Sequence, residues 1–476
     1  MIKTRIAPSP TGYMHIGNVR TALFAWLLAR QNNGQFVLRI EDTDRNRFTE
    51  GAEEHIVESL KWLGLDWDAG PDKPDELGPY RQSQRLEIFN KYAQKLIKSG
   101  KAYADPTTPN QLAELREKAK AEKRPFRFRE HRPENPPEWR PGLSLRLRID
   151  ADKSPDWHDE VRGDIKGSSE NIDDFILVKA DGFPTYNFAH IVDDHEMQIT
   201  HVIRGDEFIS SVPKYLFLYE ALGVKPPVFA HLPPILAPDG KKKLSKRDGA
   251  PDLLSYRDQG YMPEAVANFL ALLGWNDGTE QEMYSIKELI EKFSLNRVQK
   301  SGARYDEQKL TWISGHHIRS TKLEDLYKLT TSPKNWWPES ASSTSDEEKL
   351  KILGLVQEKL KNFNELSDNV RFFFVEPEIS LDEVLGLDKQ LSKKLELTEA
   401  KKMLESVTSE LEQCDFSVGD LETRLREMVE KLETKAGILF KLIRISITGS
   451  TVAPGLFETM EALGKETILK RLAKII

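Results

Sequence analysis

Apolar positions in the first hundred residues switch between two periods. Ile2 to Ala7 is a short β-compatible run. After it, Val19, Leu23, Trp26, Leu27 and Arg30 fall at helical spacing, with Gly34 as a stop. Phe36 to Glu41 reads as a buried strand that ends in Glu41, Asp42 and Asp44. Ile56, Leu60 and Leu63 mark one amphipathic helix; Leu86, Phe89, Ala93, Leu96 and Ile97 mark another, stopped at Gly100. Strand and helix in alternation predict a parallel sheet covered by helices.

From Lys101 the pattern changes. A charged helix (Gln111 to Lys123) precedes "RPFRFREHRPENPPEWRPG", with five arginines and five prolines between Arg124 and Gly142. "LSLRLRI" (Leu143 to Ile149) alternates as a half-exposed strand should, and "HDEVRGDIKG" reads as its companion. Strand-like runs return at Phe175 to Lys179 and Ile199 to Arg204, then a helix over Val212 to Leu222 and a strand near Val228 to Leu232. The α/β domain is therefore expected to be split by a β-containing insertion with an arginine-rich edge. "LAPDGKKKLSKRDGA" (Leu236 to Ala250) is a loop with five cationic residues. Beyond it the chain reads helical: Ala265 to Leu273, Ile286 to Phe293, Lys349 to Phe363, Glu399 to Gln413 and Asp420 to Leu432. Serines between Ser332 and Asp346 suggest a flexible connection.

Composition narrows the class. A chain of 476 residues, 39% hydrophobic and 30% charged, is expected to hold two to four globular domains. No apolar run is long enough to span a membrane, and the chain starts on a strand-like segment rather than a signal peptide. The one cysteine, Cys414, excludes an internal disulfide and any zinc site built on cysteine pairs. A reducing cytoplasm is expected. The net charge of −7 decides nothing, because 69 Lys and Arg remain for a local basic face.

Two loops carry candidate chemistry. The first places His15 between a strand end and a helix start, where open α/β sheets bind ligands and helix amides attract anions. The second offers Lys243, Lys246 and Arg247. A reaction that builds charge on a triphosphate needs such donors, and removing a well-placed one costs on the order of 100-fold in rate. No GxxxxGK[ST] sequence is present, so a P-loop mechanism is not supported.

These residues carry a resemblance. "APSPTGYMHIGN" resembles the HIGH signature of class I aminoacyl-tRNA synthetases, and "KLSKR" (Lys243 to Arg247) resembles their KMSKS loop. More narrowly, "RIAPSPTGYMHIGNVRTALF", "LRIEDTDRNR", "PTYNFAHIVDDHEMQITHVIRGDE", "LSKRDGA", "ALLGW", "LIEKFSLNRV" and "LIRISITGS" resemble the glutamyl-tRNA synthetase family across essentially the whole chain. The resemblance implies a Rossmann-like α/β catalytic domain split by an α+β insertion, then an all-helical anticodon-binding region. The expected boundaries are 1–100 and 196–235 for the catalytic halves and 101–195 for the acceptor-end insertion. The lysine loop and a stem-contact domain take 236–325, and the anticodon region takes 326–476. The implied reaction joins glutamate to ATP, with Mg²⁺, as glutamyl-adenylate, then passes the glutamyl group to the 3′ end of tRNA(Glu). A non-discriminating form would also charge tRNA(Gln). A monomer is implied.

Residue roles follow from the same resemblance. Arg5, Tyr186 and Arg204 would hold the γ-carboxylate of glutamate, while Ser9 and Glu41 would hold its α-amino group. His190 would either touch the α-carboxylate or form pocket wall. His15, Lys243, Lys246 and Arg247 would stabilise phosphate charge. The ATP site would add Ala7, Pro8, Ser9, Pro10, Thr11, Gly12, Gly17, Asn18, Glu207, Leu236, Leu244 and Ser245. Arg124, Arg127 and Arg129 would meet tRNA phosphates, with Phe126, Phe128 and Trp139 stacking on bases. Asn18 replaces the second histidine of HIGH, and Leu244 replaces the methionine of KMSKS, which conserves volume. "AYADPTTPNQL" lacks the cysteines of the zinc module some members carry, so no metal is expected there. Asp193 and Asp194 read as structural acids rather than a metal site.

Three rivals remain at this point. Glutaminyl-tRNA synthetase shares the first motif, but "IEDTD" and the helical C-terminal pattern oppose it, and two arginines suit an acid better than an amide. A nucleotidylyltransferase with the same signature needs no C-terminal extension. A non-catalytic RNA-binding relative would have lost His15 or the lysine loop.

Overall fold

The computed structural model describes residues 1–44, 47–168, 172–244 and 252–476; Ser245, Lys246 and Arg247 lie outside the described residues. The chain forms two compact units, one of residues 1–257 with 263–307, the other of residues 258–262 with 308–476.

In the first unit, β1 (Lys3–Ile6) leads into α1 (Ile16–Gln31), and β2 (Gln35–Leu38) returns parallel to β1. Helix α1 is buried on nearly every face, as an apolar helix inside a domain core must be. The turn out of it requires Gly34, because a Cβ there would lie 2.2 Å from the Ile2 carbonyl oxygen. Helices α2 (Ala52–Trp62) and α3 (Leu86–Lys98) follow where the apolar spacing predicts them.

Then come β3 (Ala102–Asp105), α4 (Pro109–Ala121) and β4 (Ser144–Leu147). Next are the hairpin β5 (Trp157–Asp159) and β6 (Gly163–Ile165), and β7 (Ile176–Val178). Helix α4 starts on a capping box, Thr108 and Gln111 each satisfying the other's backbone N–H. After α5 (Tyr186–Glu196), β8 (His201–Gly205), α6 (Val212–Leu222) and β9 (Val228–Leu232) complete the α/β alternation. One sheet has the order β3-β4-β7 and is antiparallel; another has the order β6-β5-β9-β8. In the latter, β9 is parallel to both β5 and β8. Strand β1 meets it just before β8, where the Thr200 N–H donates to the Lys3 carbonyl at 2.9 Å.

Three sequence expectations are corrected here. "HDEVRGDIKG" is not the companion of Leu143 to Ile149: it makes the β5–β6 hairpin and joins β9, while β4 pairs with β3 and β7. Alternation reveals a strand but not its partner, and both true partners are distant in sequence. The sheets are accordingly mixed, not uniformly parallel. Strand β4 is also covered on both faces. Arg146, which alternation places in solvent, is buried over the Phe128 ring (3.5 Å to its centroid), with Nε donating to Asp105 at 2.6 Å. A paired arginine passes for a solvent-facing residue in an alternating pattern.

The named elements of the second unit are helices. Its core joins Leu404 and Leu411 of the helix Leu397–Leu411 to Leu421 and Leu425 of Val418–Lys431. Leu439 and Leu442 of Ala436–Thr448 and Ile468 and Leu472 of Lys465–Ile475 complete it. The serine-rich stretch is no loose connection: Trp337 and Ala341 within it are buried, and the Trp337 indole donates to Thr330 Oγ1 at 3.2 Å. Among the described residues, no helix is long and apolar enough to cross a membrane.

Candidate active site

The loop from β1 to α1 ends on His15, the N-cap of α1. Its Nδ1 accepts the Gly17 N–H at 3.1 Å, so the neutral ring carries its proton on Nε2 and presents it as a donor. Gly17 permits the close approach, since a Cβ there would lie 3.0 Å from His15 Cε1. Donor and helix amide end coincide, an arrangement that favours phosphate. His55 ties this loop to the far side of the cationic segment: its Nδ1 accepts the Met14 N–H at 3.4 Å and its Nε2 lies 3.3 Å from Asp252. Lys243 stands on a return arm opposite Leu236, its ammonium 3.4 Å from Glu207. Both partners are about half exposed, so the pair is weak and easily exchanged for a ligand.

A second cluster lies at the carboxyl ends of β1 and β8. Arg5 is buried and already committed: Nε and Nη2 lie 3.3 and 3.4 Å from the two oxygens of Asp194, and Nη1 donates to the Ile203 carbonyl. Arg39 bridges Asp194 (2.8 Å) and Glu41 (3.0 Å), and Arg85 donates to Asp193 at 2.7 Å. Burial pushes Asp194 up, but Arg5 and Arg39 outweigh it and hold the acid below its ordinary range. Both aspartates are thus ion-paired to buried arginines. Burial lifts Glu41 above the usual carboxylate range against the pull of Arg39, so an arriving ammonium would improve its environment.

Arg204 differs. It is 5% exposed; its Nε donates to His231 Nε2 at 3.0 Å, while Nη1 and Nη2 are buried without a partner among the described residues. Two buried, unpaired Nη groups of one guanidinium are costly unless an anion completes them. Tyr186 opens α5 and stacks on His190 with centroids 4.6 Å apart; burial raises its phenol, which stays protonated and able to donate. His190 donates Nδ1–H to the Tyr186 carbonyl at 2.7 Å, and burial lowers its pKa to about 3. It therefore stays neutral with only an acceptor left, which favours the wall reading over a carboxylate contact.

The insertion's arginines divide. Arg124 is paired with Glu122 and Glu130, Arg129 Nη1 donates to the Ala151 carbonyl, and Arg127 has no side-chain partner among the described residues. Phe128 is buried beneath Arg146, Trp139 packs onto the hydrophobic core, and Phe126 is stacked on His131 (centroids 5.7 Å apart) with the Arg116 guanidinium over its ring, so each of the three aromatics already has a partner. Sequence reading missed Asp159 and His231 behind Arg204, because each looks like an ordinary polar residue of a short strand.

Comparison with known proteins agrees with this geometry. Residues 1–312 match the catalytic domain of class I tRNA synthetases for E and Q, and residues 324–476 match an anticodon binding domain. The chain belongs to the class I tRNA synthetases of this branch. Glutamate–tRNA ligases of Dehalococcoides mccartyi and Moorella thermoacetica are each 42% identical to it, the alignments covering 100% and 99% of this chain and 97% of each relative. The crystal structure of a glutamate tRNA ligase from Elizabethkingia meningosepticum, in complex with its amino acid, is 34% identical and superposes with a TM-score of 0.88. That match covers 100% of this chain and 99% of the other. The class I synthetase thus combines a helix-capped histidine, a cationic loop and a buried, unsatisfied guanidinium in its catalytic unit.

Proposed function

We propose that the chain is a glutamate–tRNA ligase that activates L-glutamate with ATP and transfers it to the 3′ end of tRNA(Glu). The observation that carries the choice of amino acid is Arg204, whose two bare Nη groups ask for a carboxylate rather than a neutral amide. The γ-carboxylate would close on that fork beside the Tyr186 phenol, and the α-ammonium would approach Glu41 and Ser9. The α-carboxylate then attacks the α-phosphorus of ATP, and pyrophosphate leaves. His15 Nε2–H and the amide end of α1 meet the phosphates from one side. Lys243, Lys246 and Arg247 would meet them from the other, with Mg²⁺ accompanying the nucleotide as part of the substrate. Ala7 to Gly12, Gly17, Asn18, Glu207, Leu236, Leu244 and Ser245 would complete the ATP site. In the second step a ribose hydroxyl of the terminal tRNA nucleotide attacks the glutamyl carbonyl, and AMP leaves.

Arg127 of the insertion is the better-placed candidate for tRNA contact there; Arg124, Arg129 and Phe126 would first have to exchange their present partners. One chain carries both the catalytic and the anticodon-binding regions, so the reading needs no second copy, and its single, buried cysteine suits the cytoplasm. ATP–pyrophosphate exchange with glutamate or glutamine, with and without tRNA, tests the assignment. Exchange supported by glutamine and not by glutamate would refute it.

A further inference from the structure

Behind Arg204 lies a buried pair that the mechanism above does not use. Strand pairing sets Arg204 of β8 opposite His231 of β9, and Asp159 of β5 pairs with Phe229 on the other side of β9. Three adjacent strands thereby line up an acid, an imidazole and a guanidinium. Asp159 and His231 are fully buried. Asp159 Oδ1 accepts the amides of Val161 (3.0 Å) and Arg162 (2.8 Å), and the His231 amide lies 3.2 Å from both oxygens. Oδ2 lies 2.6 Å from His231 Nδ1. Burial pushes Asp159 up, but this set of donors outweighs it and keeps the acid ionised.

An ionised Asp159 only accepts, so His231 carries its proton on Nδ1 and keeps a lone pair on Nε2. That lone pair takes the Arg204 Nε–H. The guanidinium plane is then held at its Nε edge, and the rings of Phe208, Tyr215 and Phe229 surround Cζ at 5.0, 4.8 and 5.7 Å. What remains to face a ligand is the Nη fork.

Building on the reading of Arg204 as the partner of the glutamate side chain, we propose that Asp159 and His231 are positioning residues that set specificity for a carboxylate by fixing the histidine tautomer that holds Arg204 by its Nε edge and offers its Nη fork to the substrate. The contrast with Arg5 supplies the logic. There Asp194 sits directly on the guanidinium and occupies it. With one imidazole interposed, the acid orients Arg204 without filling it.

The test is ATP–pyrophosphate exchange by the full-length enzyme with tRNA present, using glutamate and glutamine in turn. His231→Asn keeps an amide N–H near Asp159 but removes the acceptor for Arg204; His231→Gln reaches the Nε2 position with an amide oxygen and keeps that acceptor. His231→Asn is expected to raise the glutamate KM about 10- to 100-fold, the loss of one hydrogen bond to a charged group, with the ATP KM unchanged. His231→Gln should stay closer to wild type. Asp159→Asn turns an amide N–H toward the imidazole, forces the opposite tautomer and sets donor against donor at Arg204. Adding His231→Gln to Asp159→Asn should therefore restore glutamate affinity, an outcome that a merely structural role does not give. If Asp159→Asn fails to fold, the two His231 variants decide alone. Equal behaviour of His231→Asn and His231→Gln, or parallel rises in the glutamate and ATP KM, would overturn the proposal. Arg204→Gln separates it from the reading beneath it. An unchanged glutamate-to-glutamine ratio in that variant rejects both, whereas a fall there with His231→Asn unaffected rejects the positioning role alone.

Discussion

Arg204→Gln is the most informative single substitution. In the wild type, two buried Nη groups stand ready for a carboxylate, and nothing else among the described residues satisfies them. With glutamine in place, the substrate's γ-carboxylate enters the same enclosure without its counter-charge. Leaving one member of a buried ion pair unpaired costs about 3–5 kcal/mol. At about 1.4 kcal/mol per decade, this lowers kcat/KM for glutamate by roughly two to nearly four orders of magnitude. Glutamine as substrate loses at most one hydrogen bond between neutral groups, about 0.5–1.5 kcal/mol, or tenfold or less. The quantity to measure is kcat/KM for glutamate over that for glutamine, in the variant relative to the wild type. It should fall at least about tenfold. The ATP KM and the melting temperature serve as controls, because Arg204 also packs against Phe208, Tyr215 and Phe229. A ratio that stays constant while both substrates weaken would show that Arg204 supports the fold and does not read the side chain.

Three further outcomes are expected. His15→Asn keeps a good helix cap but loses the Nε2–H of the ring, so kcat for adenylation should drop on the order of 100-fold with little change in stability; His15→Ala should lose about 1 kcal/mol of stability besides. Equal kcat in His15→Asn and wild type would remove His15 from the chemistry. Asp194 is held below its unfolded value, so its stabilisation is complete above about pH 3.9 and is lost as the pH falls through the folded value. Urea unfolding of Asp194→Asn should show a loss of about 3–5 kcal/mol at neutral pH and a shallower acid dependence than wild type; a parallel acid curve would contradict this. Elemental analysis is expected to find no stoichiometric zinc, since "AYADPTTPNQL" has no cysteine. Should one zinc per chain appear, Cys414, Asp415 and Asp420, with ligand atoms within 4.8 Å of one another, are the first place to look.

The order of helices and strands in the catalytic unit was legible because each follows from local periodicity: Val19, Leu23 and Leu27 are one helix face whatever surrounds them. His15 was legible for a related reason, since a helix cap is specified within a few residues. Strand partnership was not. The hairpin holding Asp159 carries the same alternation whether it joins β4 or β9, and the pairing of Asp159 with Phe229 is set by tertiary packing alone. Buried charge was equally hidden. Alternation places Arg146 in solvent, and the acids that make the burial of Arg39, Arg85 and Arg146 tolerable come from distant segments. The serine-rich stretch after Ser332 misled in the opposite direction, because composition suggested looseness where two tryptophans, Trp336 and Trp337, supply packing.

The two arginines that sequence reading paired as equals are used differently, and the difference follows from where their acids sit. Arg5 is compensated in place: Asp194 lies against its Nε and Nη2, and Asp194 is shared with Arg39. Charge in that layer is balanced before any substrate arrives, and the shared pairs tie β1, β2 and α5 together around Glu41. Arg204 has its nearest acid, Asp159, one imidazole away. A direct ion pair there would leave the substrate to compete with an internal carboxylate already in the low-dielectric interior, where exchange is costly. No acid at all would leave the guanidinium free to turn its Nε edge toward the pocket. An acid acting through a neutral histidine avoids both faults: it fixes the orientation and keeps the fork unoccupied. A side-chain carboxylate is then the ligand that satisfies Arg204 without displacing any partner it already has.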